Sequence, residues 1–199
     1  PTIMEHVNAF EKYSSWPVWS INCELGFPQK LKFMSFKVII LHYSIFGNYP
    51  FFLTPKFYNY VKYASSFKIS FFQDEYQYCL QRFTAINDLA LDSIYSLLEP
   101  CYHSIYLKNT QCKSIHRTLT GYVDDSLIEI SRILAKEDSQ RTIDIGYRAR
   151  PLPLWMGRAA REKTEIAEGI IERLASSDLI TDIKTAESDR IYGKKWHEY

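Results

Sequence analysis

Apolar positions along this chain switch repeatedly between a helical and a strand period, and the switches lay out its elements in order. Thr2-Ile-Met-Glu5 reads as a capping box, with Thr2 at the N-cap. Ile3, Val7 and Phe10 follow on one face, so a helix is predicted to about Tyr13. Residues 16–23 read as a short strand. Lys37-Val-Ile-Ile-Leu-His42 is a nearly unbroken apolar run, the pattern of a strand buried on both faces in a parallel sheet. After a loop over 48–53, Thr54-Pro55 supplies an N-cap and a first-turn proline for a helix with the stripe Phe57, Val61 and Ala64.

The pattern continues to the end of the chain. A strand is predicted over 67–72, then a helix capped by Asp74 that carries Tyr76, Leu80 and Phe83. A weaker strand over 93–98 precedes a short helix over 102–107, and residues 118–123 form another strand. Ser126-Leu-Ile-Glu129 is a second capping box opening a helix to about Ala135. Residues 142–147 read as a strand, 154–174 as a long helix, 178–183 as a strand, and a last helix starts near Glu187. Alternation of this kind predicts an α/β fold: a Rossmann-like, mostly parallel sheet with flanking helices.

The polar hexapeptide Lys136-Glu-Asp-Ser-Gln-Arg141 is the weakest point of the pattern. It divides the chain into a domain over 1–136 and the start of a second over 137–199. The first helix has no strand before it and the last has no C-cap signal, so the chain reads as a fragment of a longer protein. Its unpaired sheet edges predict poor solubility when it is expressed alone.

Composition narrows the partners. The 199 residues are 46% hydrophobic, enough to bury a core. Net charge is +1 with no basic block, which argues against a dedicated nucleic-acid binder. Aromatics are spread over many segments and read as core and cleft lining. Cys23, Cys79, Cys101 and Cys112 lack metal or redox spacing, as do His103, His116 and His197, so no metal site is expected and reduced thiols point to the cytoplasm. No stretch is long and apolar enough to span a bilayer. The first residue is Pro1, so the natural start is not shown.

Ligands of open parallel sheets sit beyond the carboxyl ends of the strands. That rule collects His42, the Gln73-Asp-Glu75 turn, Thr120 and Tyr122, and the stretch holding Tyr147, Arg148 and Arg150. His42 is a cleft residue or a packing residue. Ser44 is too close in sequence to His42 to count as a nucleophilic pair. Asp74 and Glu75 are a helix cap and a first-turn charge on one reading, and a general base or a sugar-hydroxyl acceptor on the other. Ile143-Asp-Ile-Gly-Tyr-Arg-Ala-Arg150 is a strand running into a glycine turn, with Arg148 and Arg150 on one side of an extended segment. They are solvated cations or a bidentate clamp on a diphosphate. Lys163 interrupts the apolar stripe of Ala159, Ile166 and Ile170, either snorkelling or reaching the same anion. Neither a Gly-x-Ser-x-Gly elbow nor a Walker loop is present, so an unrelated hydrolase ranks last.

Several segments taken in order carry a resemblance. They are Ile39-Leu-His-Tyr-Ser-Ile45, Phe72-Gln-Asp-Glu-Tyr76, Thr120-Gly-Tyr-Val123, Asp144-Ile-Gly-Tyr-Arg-Ala-Arg150, Leu152-Pro-Leu-Trp-Met-Gly157 and Asp189-Arg-Ile-Tyr-Gly-Lys-Lys-Trp196. In this order the chain resembles bacterial glycosyltransferases of the two-Rossmann (GT-B) type, which are associated with surface polysaccharide synthesis. The resemblance implies an acceptor-binding first domain lacking its first strand, and the beginning of a second, nucleotide-sugar-binding domain. It implies transfer of a sugar from a nucleotide-diphosphate donor to a hydroxyl of a glycan or lipid-linked acceptor, with no separate cofactor. His42, Asp74 and Glu75 would border the acceptor cleft, while Gly146, Tyr147, Arg148, Arg150 and Lys163 would approach the donor diphosphate. A cytoplasmic site at the inner face of the membrane follows from the same resemblance. The family's later acidic and glycine-rich donor motif is absent, so little activity is expected of this stretch alone. The competing reading is a non-catalytic Rossmann-like module that binds a nucleotide or a protein.

Overall fold

The computed structural model describes residues 2–119, 122–135 and 140–185. The chain divides into two compact units, Pro1–Asp124 and Asp125–Tyr199. The division falls ahead of the expected boundary, so the helix after Asp124 is grouped with the second unit. Residues 136–139 and the helix expected from Glu187 lie outside the described residues.

In the first unit, α1 (Thr2–Tyr13) precedes a Rossmann-like alternation of β1 (Val38–Leu41), α2 (Pro55–Tyr63), β2 (Phe67–Phe71), α3 (Cys79–Asp88), β3 (Ser93–Ser96), α4 (Ser104–Asn109) and β4 (Ser114–Arg117). All neighbouring strands are parallel, in the order β1-β2-β3-β4. A sheet that grows in one direction through crossovers of one hand places every crossover helix on the same face. The core agrees: Val61 of α2, Ala85 and Ile86 of α3, and Tyr106 of α4 cluster with Leu41, Phe72 and Ile94.

Buried Lys68 ties that layer together. Its Nζ donates to the carbonyls of Lys62 at 3.1 Å and Leu89 at 3.0 Å, at the C-terminal ends of α2 and α3. A cation suits two helix C-termini at once. Asp92 anchors the same residue by accepting its backbone N–H at 2.7 Å.

The structure corrects several expectations. Residues 16–22 form no strand, and Cys23–Leu25 is a single turn of 3-10 helix capped by the Asn22 side chain. β1 is an edge strand rather than one buried on both faces, with Ile40 40% exposed. A strand lies at Ser114–Arg117, where its register with β3 half-buries Ile115. Of the strand expected over 118–123, residues 118–119 and 122–123 form none, and 120–121 lie outside the described residues. Asp74 caps no helix. It sits at φ 48° in the turn after β2, and α3 begins only after Tyr78, itself at φ 52°.

The second unit contains α5 (Asp125–Leu134), β5 (Ile145–Arg148), α6 (Arg158–Leu174) and β6 (Thr181–Lys184). β5 and β6 are parallel, joined through α6. Asp144 accepts the Ile180 amide at 2.7 Å and fixes the start of the pair. Gly146 is not a turn residue. It lies inside β5 opposite Asp182, at ordinary φ. The positive-φ glycine is Gly157 at φ 63°, which sets the direction of α6 after a 3-10 turn over Leu154–Met156.

Candidate functional site

β1 ends at Leu41, and His42 is the N-cap of a 3-10 turn over Tyr43–Phe46. The Ser44 amide donates to His42 Nδ1 at 3.2 Å, and the Ser44 hydroxyl lies 2.9 Å from the same nitrogen. A backbone N–H can only donate, so His42 Nδ1 is an acceptor. The proton of the neutral ring therefore sits on Nε2, which points at His6 Nδ1, 3.0 Å away. The chain of donors runs from Ser44 through His42 to His6. Burial, and then the nearby charge of His6, push His42 down to about 4, while burial lowers His6 as well. Both rings are neutral at pH 7.

His6 arrives from α1, where His6, Ala9, Phe10 and Tyr13 fall at i, i+3, i+4 and i+7 on one face. With Ser14 and Tyr122 they line a cavity of about 350 Å³. His6 stacks near Tyr43 and meets Phe71 edge-on, while Phe71 stacks on Tyr95 at 4.7 Å and Tyr95 on His116 at 5.0 Å. The aromatic row therefore crosses β2, β3 and β4 on the face opposite the core helices. Tyr122 donates to the Tyr13 hydroxyl at 3.3 Å, and this bond pushes its own ionisation up to about 12. Thr120 lies outside the described residues.

Glu75 has a structural assignment. Its carboxylate accepts the Ser96 hydroxyl at 2.8 and 3.0 Å, the Leu97 amide at 2.6 Å and a short bond from the Tyr106 hydroxyl. Burial and the Glu75 charge push Tyr106 far above its usual range. Beside it lies Arg82, 1% exposed, with its guanidinium 5.1 Å from the Phe72 ring and its Nε and Nη1 lacking an acceptor among the described residues. Asp74 is exposed, and its carboxylate has no partner among the described residues.

In the second unit the two arginines separate. Arg148 is committed to an ion pair with Asp182 and to the Asp182 carbonyl at 2.6 Å. Arg150 is exposed past the end of β5. Tyr147 donates to the Lys163 carbonyl at 3.0 Å, which brings α6 against β5 and leaves the Lys163 side chain exposed.

Sequence reasoning passed over His6 and Arg82. The helical spacing of His6 with Phe10 and Tyr13 was a readable signal, whereas nothing local to Arg82 marks it as buried. Among the described residues no group of three or more His, Cys, Asp or Glu side chains could hold a metal, and no helix is long and apolar enough to cross a membrane. No protein-family model, curated protein or solved structure matches the chain.

Proposed function

We propose that this chain is the acceptor-side unit and part of the donor-side unit of a glycosyltransferase. It would move a sugar from a nucleotide-diphosphate donor to an acceptor hydroxyl in glycan or polysaccharide synthesis. One observation supports this reading above the others: the hydrogen-bonded His6–His42 pair at the carboxyl end of a parallel sheet, opening on an aromatic-lined cavity. In this reading His42 positions His6, and His6 holds the acceptor. Asp74, the carboxylate of the neighbouring turn that has no protein partner among the described residues, takes the hydroxyl proton. Within the second unit, Arg150 and Lys163 are the exposed cations suited to a nucleotide diphosphate.

A lipid-linked acceptor would bring the protein to the inner face of a membrane. Exposed Trp16, Trp19 and Phe33, the last of them beside Lys32 in sequence, are residue types suited to that surface.

The commitment of Glu75 and Arg148 to structural bonds favours a second reading, a nucleotide- or protein-binding module without catalysis. Calorimetric titration of the chain with nucleoside diphosphates and nucleotide-sugars separates the two. Selective binding of one nucleotide-sugar, weakened in Arg150→Ala, supports transfer. Folded protein that binds none of them removes the transfer reading.

A further inference from the structure

We infer that the cavity on α1 is a subsite for one neutral sugar ring, held by a fixed N–H donor from His6 and by the faces of Phe10, Tyr13 and Tyr122. This rests on the transfer reading for its biological meaning but not for its chemistry.

The donor assignment follows from the Ser44 amide. That N–H makes His42 Nδ1 an acceptor and places the His42 proton on Nε2, whose partner is His6 Nδ1. His6 Nδ1 is thereby an acceptor too, and the proton of its neutral ring must sit on Nε2. No protein group takes that proton among the described residues, and His6 lines the cavity. The site thus presents a hydrogen-bond donor whose polarity is fixed, through His42, by the backbone N–H of Ser44 in a different segment of the chain.

The cavity lining of His6, Ala9, Phe10, Tyr13, Ser14 and Tyr122 contains no Asp, Glu, Lys or Arg. Lys12 lies 5.3 Å from the Tyr13 ring centroid but is not among the lining residues, so the lining itself offers a phosphate or carboxylate no counter-charge. Aromatic faces with hydroxyls at their edges suit a ligand with an apolar face and a polar rim. A pyranose has both, and its ring or hydroxyl oxygen accepts from His6. At about 350 Å³ the cavity is at the small end of ligand pockets, room for one ring rather than a chain.

The test is NMR titration of the chain with methyl pyranosides and, separately, with nucleosides. Saturable shifts of the His6 and Tyr122 ring signals by a glycoside are expected. Long-range ¹⁵N shifts of His6 should show a proton on Nε2 in the unliganded protein. His6→Phe should weaken glycoside binding about tenfold, while His6→Gln, which keeps a donor, stays within about threefold. Tyr122→Leu, on a loop outside the core, should also weaken it.

A His6 proton on Nδ1 overturns the inference in the unaltered protein, whatever the variants do. Nucleosides saturating the site in place of glycosides overturn it too, as does the absence of any saturable glycoside shift. Glycoside binding without nucleotide-sugar binding would remove the transfer reading and leave this subsite standing. Nucleotide-sugar binding without glycoside binding would do the reverse.

Discussion

The two units have the same kind of local pattern and solve it differently. In the first, α2, α3 and α4 close one face of a four-stranded sheet, and Phe46, Phe72, Ile86, Leu89 and Ile94 are each at most 1% exposed. In the second, the only buried hydrophobics among the described residues are Ala160 and Ala167, while Ile133, Leu154, Ile171 and Ile180 are all more than half exposed. The described residues of this unit, two strands with α5 and α6, offer too little buried apolar area for a comparable core. Amphipathic pattern alone therefore does not make a core: the number of strands available to receive each helix does.

The largest test of that contrast is a matched truncation. Ile86→Ala should cost about 2–5 kcal/mol by urea unfolding, from lost burial and the cavity left behind. Ile171→Ala, 56% exposed, should cost less than about 1 kcal/mol. Similar losses at both positions would mean that the second unit is as well packed as the first.

Lys68 gives the next effect. Lys68→Met leaves the Lys62 and Leu89 carbonyls without their donor in a buried place. A loss of about 1–3 kcal/mol is expected, seen first as faster amide exchange at the ends of α2 and α3. Unchanged exchange there would show that neither helix end relies on this cation.

Acid should separate the units next. The unfolded His42 takes up a proton near its ordinary 6.5, while the folded ring resists it down to about 4. Protons therefore favour the unfolded chain in that window, and stability of the first unit falls as pH drops from about 6.5 to about 4. The loss is about 1–2 kcal/mol for a ring at the rim of the core. His42→Asn, which keeps a side-chain acceptor for the Ser44 amide, should flatten the slope between those values. A wild-type slope in that variant would assign the pH dependence to other groups.

The smallest effects lie in β5. A Cβ on Gly146 meets nothing within 4 Å, so Gly146→Ala should change stability by no more than about 0.5 kcal/mol. Arg148→Ala, whose ion pair is partly solvated, should cost about 0.5–1 kcal/mol. The pair sharpens the comparison when nucleotide affinity is measured alongside. Loss of affinity in Gly146→Ala without loss of stability would mark this strand as a place where a ligand approaches the backbone.

The periodicity of the sequence determined the α/β class, most of the order of helices and parallel strands among the described residues, and the stripe of α2. The positions expected to face inward on α3 (Tyr76, Leu80) and α6 (Ala159, Ile166) are exposed, and Ala85, Ile86, Ala160 and Ala167 are buried instead. Phe57 and Val61 point inward because they are spaced as one face of α2. These are local facts, written within a few residues. Where local signals misled, the sheet had overridden them. An apolar run at β1 became an edge because only one neighbour pairs with it, and Asp74 lost its capping role because the turn after β2 adopts a left-handed backbone.

Only the tertiary structure decided which polar groups meet. His6 and His42 are 36 residues apart, Glu75 and Tyr106 are 31 apart, and Arg148 and Asp182 are 34 apart. Such pairs depend on sheet order and on where each helix lands. No pattern within a single element records that, because its residues are spaced to suit their own face and not a distant partner.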